Sequence, residues 1–259
     1  MARAARKKSK TGIYHVMLRG INKQIIFEDN EDMERFLLTL RSFKDKGSYK
    51  LFAFCLMNNH VHILLRELGE DISVSIKKIC ASYVLWYNKK YERCGHLFQE
   101  RFKSETVEND SYFLTVLKYI HQNPLKAGVV KEIEDYKWSS YNEYMLDRKN
   151  KITDLDFGLA MFSADRKEAI DLFIEYHREG CKDKCLDYED FVNLADEEVI
   201  AKANMLGINN IAMLQSLDRG GRDSLLRELM KIDGVTIRQL ARITGVSKSV
   251  IGRAHAQKT

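Results

Sequence analysis

Apolar and polar positions alternate from Ile13 to Arg19, the period of a strand with one buried face. From Asn30 to about Lys46 the period lengthens. Met33, Phe36, Leu37, Leu40 and Phe43 fall on one helical face, with Asn30 as the expected cap. Tyr49 to Met57 is aromatic and aliphatic and reads as a strand. Asn58-Asn59 is turn chemistry, since Asn tolerates positive φ. His60 to Arg66 then returns as the second arm of a hairpin. Ile72 to about Arg93 is a long amphipathic helix, and Leu97 to Val107 is another strand. Asp110 is the expected cap of a helix running to about Gln122. Pro124, the one proline of the chain, is expected to stop it there, because the residue before a proline is pushed out of the α region.

The first six elements follow the βαββαβ order of a ferredoxin-like antiparallel sheet, an α+β fold with helices on one face and the other open to a ligand. After Trp138-Ser139-Ser140-Tyr141 the pattern becomes helical only. Gly220-Gly221 is an expected break, followed by a helix over Arg222–Ile232. Thr236 caps Ile237–Ile243, Thr244-Gly245-Val246 turns, and Ser247 caps a last helix to about His255. Ala241, Gly245 and Ile251 have the spacing of a helix-turn-helix, whose bland alternative is an ordinary three-helix unit. The expected organisation is a basic flexible arm at 1–11, an α+β domain at 12–149, an acidic helical region at 150–220, and a helix-turn-helix unit at 221–259.

Charge sharpens this division. Residues 1–149 carry 26 Lys+Arg against 19 Asp+Glu, residues 150–199 carry 6 against 14, and residues 233–259 carry 5 against 1. Two basic regions flanking an acidic one suit a polyanionic partner, although solubility alone would also explain them. No run of about 18 apolar residues exists, which argues against a membrane span. The start MARAARKKSK has no apolar leader, and the five cysteines are irregularly spaced. A reduced, cytoplasmic setting is therefore expected. Cys181 and Cys185 do not complete a zinc site and read as structural.

Two residues stand out chemically on the hairpin. His60 and His62 lie two apart on a strand, so they project from the same face while Val61 turns into the core. Such a pair can share one divalent ion, or can be two half-exposed strand histidines. On the helix before Pro124, the stripe Tyr112, Thr115, Tyr119 and Asn123 adjoins the apolar stripe Phe113, Val116, Leu117 and Ile120. Tyr119 and Asn123 are one turn apart. A phenol and an amide could meet there as nucleophile and metal ligand, or simply pack at a helix end.

Five blocks together resemble the single-tyrosine HUH transposases, and most closely the REP-associated tyrosine transposases. They are Tyr14–Gly20, Met57–His62, Gly95–Phe102, Tyr119–Gly128 and Trp138–Tyr141, in order over roughly residues 10–145. The resemblance implies a metal-dependent endonuclease and strand transferase for single-stranded DNA, with Tyr119 as nucleophile and a 5′-phosphotyrosine intermediate. It also implies His60 and His62 as ligands of Mg2+ or Mn2+. Those transposases place a glutamine four residues after the tyrosine. Here that position is Asn123, so Asn123 or Gln122 is the third ligand. Partners implied are single-stranded DNA with a hairpin and a homodimer arrangement in which the tyrosine helix is supplied in trans, though no residue decides the latter. The end of the chain resembles the DNA-binding domain of DnaA-type proteins, implying duplex contacts by Lys248, Ser249 and Arg253.

Further DNA contacts are expected from Arg3, Arg6, Lys7 and Lys8 on the arm and from Arg101 and Lys103 on one strand face. His15 either lines the site or is a satisfied core histidine. His121 reads as packing or a phosphate contact. Trp138 and Tyr141 either stack on a base or form a core corner. The rival functions are a non-catalytic DNA-binding regulator that keeps the fold and, more weakly, an RNA-binding protein.

Overall fold

The structure, a computed structural model, describes residues 6–99, 101–146, 151–180, 185–186, 196–205, 208, 211–215, 217–232 and 235–256. The chain divides into two units, residues 1–187 and 188–259. The division falls after Asp187, not near residue 150.

The first unit begins with β1 (Ile13–Arg19), α1 (Asn30–Asp45), β2 (Tyr49–Met57), β3 (His60–Glu67), α2 (Ile72–Lys90), β4 (Lys103–Thr106) and α3 (Asp110–Lys126). The sheet order is β2-β3-β1-β4, every neighbouring pair antiparallel, as the βαββαβ order requires. β4 is shorter than expected, and Arg101 precedes it.

Strand alternation sends Val16, Leu18, Val61, Ile63 and Leu65 to one face, where they pack with Phe36, Leu40, Ile76 and Tyr83 of α1 and α2. A register shift at Phe52 turns Phe52 and Ala53 together to the opposite face. That face is not open. α3 covers it through Phe113, Val116, Leu117 and Ile120. Beyond α3 follow α4 (Tyr141–Met145), α5 (Leu155–Leu159) and α6 (Arg166–Arg178). Leu155, Leu159 and Phe173 of these helices join the same core. The acidic stretch of the sequence thus begins as part of the first unit, because its apolar stripe needs the α3 side of the sheet.

Three local expectations are corrected. The caps of α1 and α3 are Asp29 and Asn109, one residue earlier than read, each accepting from a backbone N–H of the first turn. The hairpin turn uses no positive φ at Asn58 or Asn59. It is held instead by the loop after β1, with Asn58 O accepting from Ile26 N and Asn59 O from Gly20 N. Finally, α3 runs through Pro124 to Lys126. Pro124 sits in the last turn, where the helix closes with Ala127 N donating to Asn123 O and Val129 N to Pro124 O. The preference against helix before proline yields here to the packing of Asn123.

The second unit contains α7 (Asp196–Met205), α8 (Arg219–Met230), α9 (Ile237–Thr244) and α10 (Lys248–Ala256) around Leu226, Leu229, Leu240 and Ile251. Gly220 and Gly221 do not break the chain. They form the first turn of α8, where their N–H groups donate to the Asp218 carboxylate. Thr236 caps α9, and Gly245 ends it at φ 69°, in the left-handed region that favours glycine. Asp196 receives a two-pronged ion pair from Arg242 at 2.6 and 2.8 Å, which fastens α7 to α9. No described helix is long and apolar enough to cross a membrane.

Candidate active site

The register of the sheet brings His15, His60 and His62 onto the face covered by α3. His60 stands opposite Arg19, His62 opposite Met17, and His15 opposite both Leu64 and Glu105. His15 and His62 are therefore diagonal neighbours, close enough for their rings to touch. Their ring centroids are 5.2 Å apart, and those of His60 and His62 are 5.1 Å apart.

α3 lowers Tyr119 and Asn123 onto this cluster. The Tyr119 ring meets His62 edge to face at 5.6 Å and His15 at 6.0 Å. Lys126, nearly two turns further along α3 than Tyr119, places its ammonium 4.3 Å over the Tyr119 ring. His15 and His62 are fully buried, Tyr119 is 6% exposed and Asn123 7%.

One hydrogen-bond chain orders the imidazoles. His15 Nδ1 lies 2.7 Å from the Glu105 carboxylate, which can only accept. His15 Nε2 is then the acceptor for His62 Nδ1–H at 3.0 Å. His62 Nε2 keeps its lone pair and faces the Asn123 amide nitrogen at 3.3 Å. Burial, then the charges of His15, His60 and Lys126, pushes His62 well below the ordinary histidine range. A neutral imidazole with an outward lone pair is the form that binds metal. Glu105 also accepts from Leu186 N at 3.0 Å and bonds the Tyr112 hydroxyl, which fixes the far end of the chain.

His60 completes the arrangement. Its Nδ1–H donates to Asn59 Oδ1 at 2.6 Å, so its Nε2 also carries a lone pair, 3.2 Å from the Asn123 amide oxygen. Two acceptors face each other. Turning the amide over moves the mismatch to His62 without removing it. A divalent cation between the two imidazoles and Asn123 Oδ1 would balance all three; the amide oxygen and added waters or phosphate oxygens suit Mg2+ or Mn2+, while the imidazoles alone favour zinc-like metals. No cluster of three or more His, Cys, Asp or Glu suited to a metal occurs among the described residues.

Of the two amides read as third-ligand candidates, Asn123 faces the imidazoles. Gln122 turns away, and its Nε2 donates to the carbonyls of His177 and Glu179 at 2.7 and 2.8 Å. His121 also faces away. It donates from Nδ1 to His177 Nε2 at 3.0 Å and accepts at Nε2 from the Ser140 hydroxyl at 2.8 Å. His177 Nδ1 donates in turn to Phe173 O at 2.8 Å. This second chain is buried packing, not chemistry. Trp138 and Tyr141 are likewise a core corner: Leu56 N donates to Trp138 O, and Tyr141 stacks on Phe173.

Among the expected DNA contacts, Lys7, Lys8, Arg101 and Lys103 are exposed. Arg3 lies outside the described residues. From Arg6 onward the arm is docked, not free. Arg6 stacks on Phe102 at 3.6 Å and donates to Phe102 O at 2.6 Å, while Thr11 Oγ1 donates to Val107 O at 2.5 Å. Lys248, Ser249 and Arg253 are exposed on α10. Cys185 is not in a disulfide and interacts with the Tyr112 hydroxyl, and Cys181 lies outside the described residues. Sequence reading missed Glu105 and Lys126. Glu105 follows Lys103 on the same strand face, so its partnership with His15 was open to the same alternation argument.

Residues 8–123 match the family model described as IS200-like transposase. A REP-associated tyrosine transposase of Escherichia coli is 22% identical over 166 residues, covering 60% of this chain and 94% of that protein. A Haemophilus influenzae protein assigned the same description is 26% identical over 122 residues, covering 42% of this chain and 67% of that one. A solved structure of a REP-associated tyrosine transposase bound to a REP hairpin superposes with a TM-score of 0.50 at 18% identity, over 60% of this chain and 95% of the other.

Proposed function

We propose, from the premise that residues 8–123 carry an IS200-like transposase domain, that this protein cleaves and rejoins single-stranded DNA through Tyr119. The observation that carries this reading is the closure of Tyr119 and Asn123, from one helix, on His60 and His62, from one strand.

His60, His62 and Asn123 would hold Mg2+ or Mn2+, which when bound polarises a phosphoryl oxygen and neutralises its charge. The protein's own groups do the rest. The Tyr119 oxygen forms a bond to phosphorus as the bond to the 3′ oxygen breaks, giving a 5′-phosphotyrosine and a free 3′-hydroxyl. A 3′-hydroxyl of another strand end reverses this and releases Tyr119, with no energy source beyond the conserved ester. Lys126, already over the ring, opposes the negative charge that grows on the phenol oxygen and phosphate. Glu105 and His15 hold His62 in the tautomer with Nε2 outward.

DNA is the partner, a hairpin by analogy with the neighbouring structure's own ligand. Lys7, Lys8, Arg101 and Lys103 would contact phosphates. Lys248, Ser249 and Arg253 of α10, in a helix-turn-helix reading of α9 and α10, would contact duplex DNA. Binding then weakens steeply with salt.

The test uses a labelled single-stranded hairpin DNA with Mn2+ or Mg2+. A denaturation-resistant protein–DNA adduct should form, disappear in Tyr119→Phe, and disappear when the cation is chelated. An adduct that survives Tyr119→Phe moves the nucleophile elsewhere. Hairpin binding without any adduct favours the regulator instead.

A further inference from the structure

A cavity of about 650 Å3 lies on the α2 side of the sheet, between α2 and the segment that leads into β4. Its walls are Ile76 and Val84 on one side and Phe98 and Phe102 on the other. Its rim carries Lys77 and Arg101, Arg19 lines it from a buried position, and no carboxylate lines it among the described residues. Flat apolar walls with a cationic rim suit a planar ring attached to an anionic backbone. Duplex DNA keeps its rings inside the stack, so only an unpaired nucleotide offers both at once.

A further observation favours this occupant. The face of Phe102 already accepts a planar group, the Arg6 guanidinium at 3.6 Å, which is the geometry of base stacking on an aromatic or a guanidinium. The outer wall is also stitched to the end of β1. Gln99 N donates to Arg19 O at 2.7 Å, Ile21 N to Leu97 O at 3.0 Å, and Arg19 stands opposite His60 in the sheet register. The groove therefore lies at the end of β1 that pairs with His60, on the sheet face opposite the imidazoles.

We infer that this groove binds an unpaired nucleotide of the DNA strand, its base between α2 and the Phe98–Phe102 wall and its phosphates on Lys77 and Arg101. The inference rests on the proposed function and assigns the subsite through which the single strand is read.

Ala81 lines the groove from an exposed position on α2, so Ala81→Trp fills the slot without touching the core. The probes are a fluorescent hairpin with a single-stranded flank, the same hairpin with one abasic position moved along the flank, and a hairpin without a flank. At one flank position the abasic change should weaken wild-type binding about tenfold, the size expected for one stacked base. Ala81→Trp should bind the intact flank about tenfold more weakly and no longer sense the abasic position. Both proteins should bind the flankless hairpin equally and melt alike. Wild-type affinity and abasic sensitivity in Ala81→Trp would overturn the inference, as would indifference of the wild type to every abasic position. Either result leaves the Tyr119 adduct, measured at saturating DNA, to report on the proposed function separately.

Discussion

His60 Nε2 and the amide oxygen of Asn123 stand 3.2 Å apart with a lone pair on each and the proton of His60 already given to Asn59. With His60 neutral and its proton on Nδ1, a shared cation would satisfy both atoms, as would a proton on His60 Nε2. Asn123→Leu, close in volume but without a donor atom, should therefore weaken Mn2+ binding at least ~10-fold. Asn123→Gln restores an amide and should retain most of the affinity. Calorimetric titration of Mn2+ into the DNA-free protein checks both. Equal affinity in Asn123→Leu would remove Asn123 from the ligand set.

Glu105 lies a full imidazole away from the proposed cation and acts through His15. Glu105→Gln can reverse the tautomers of His15 and His62 and turn an N–H towards the cation. Metal affinity should fall roughly 10–100-fold, the usual effect of losing such an outer partner. Affinity for the hairpin without metal should stay unchanged. A loss of both would mark Glu105 as structural only.

Buried imidazoles make the first unit acid-sensitive. Burial holds His121 well below its ordinary value, and His177 is pushed down to about 3. In the unfolded chain both titrate near 6.5. Below that value the unfolded state takes up protons that the folded state refuses. Stability is thus fully present above about 6.5 and is lost as pH falls towards 3, by at most ~1.4 kcal/mol per pH unit for each histidine. Urea midpoints at several pH values should fall accordingly, and more shallowly in His177→Gln. A flat profile would contradict the neutral chain.

In the second unit, Gly245 has φ 69°, and a Cβ there would meet Gln215 Nε2 at 1.7 Å. That nitrogen donates to Thr244 O, so it cannot retreat without losing its bond. Gly245→Ala should cost roughly 1–3 kcal/mol in this unit. Calorimetry of the full chain should show a lowered second-unit transition and an unchanged first-unit transition.

The sheet was legible because alternation of period two survives in β1 and β3, and its antiparallel order follows from the sequence of elements. The histidine pair was legible for the same reason. What escaped came from contacts between distant segments. Pro124 read as a stop because local preference was weighed without the packing that holds Asn123 on the imidazoles. The covered face of the sheet depended on Leu155, Leu159 and Phe173, whose apolar stripe does not announce its partner. Gly220-Gly221 read as a break because the Asp218 cap compensates a weakness that composition alone displays.

Behind the tyrosine helix, Ser140, His121 and His177 form a closed run of dry hydrogen bonds that fastens α3 to the corner at Ser140 and to α6. In the proposed reaction a tyrosine helix held on its back side in this way would stay in place, and the DNA would be the part that moves.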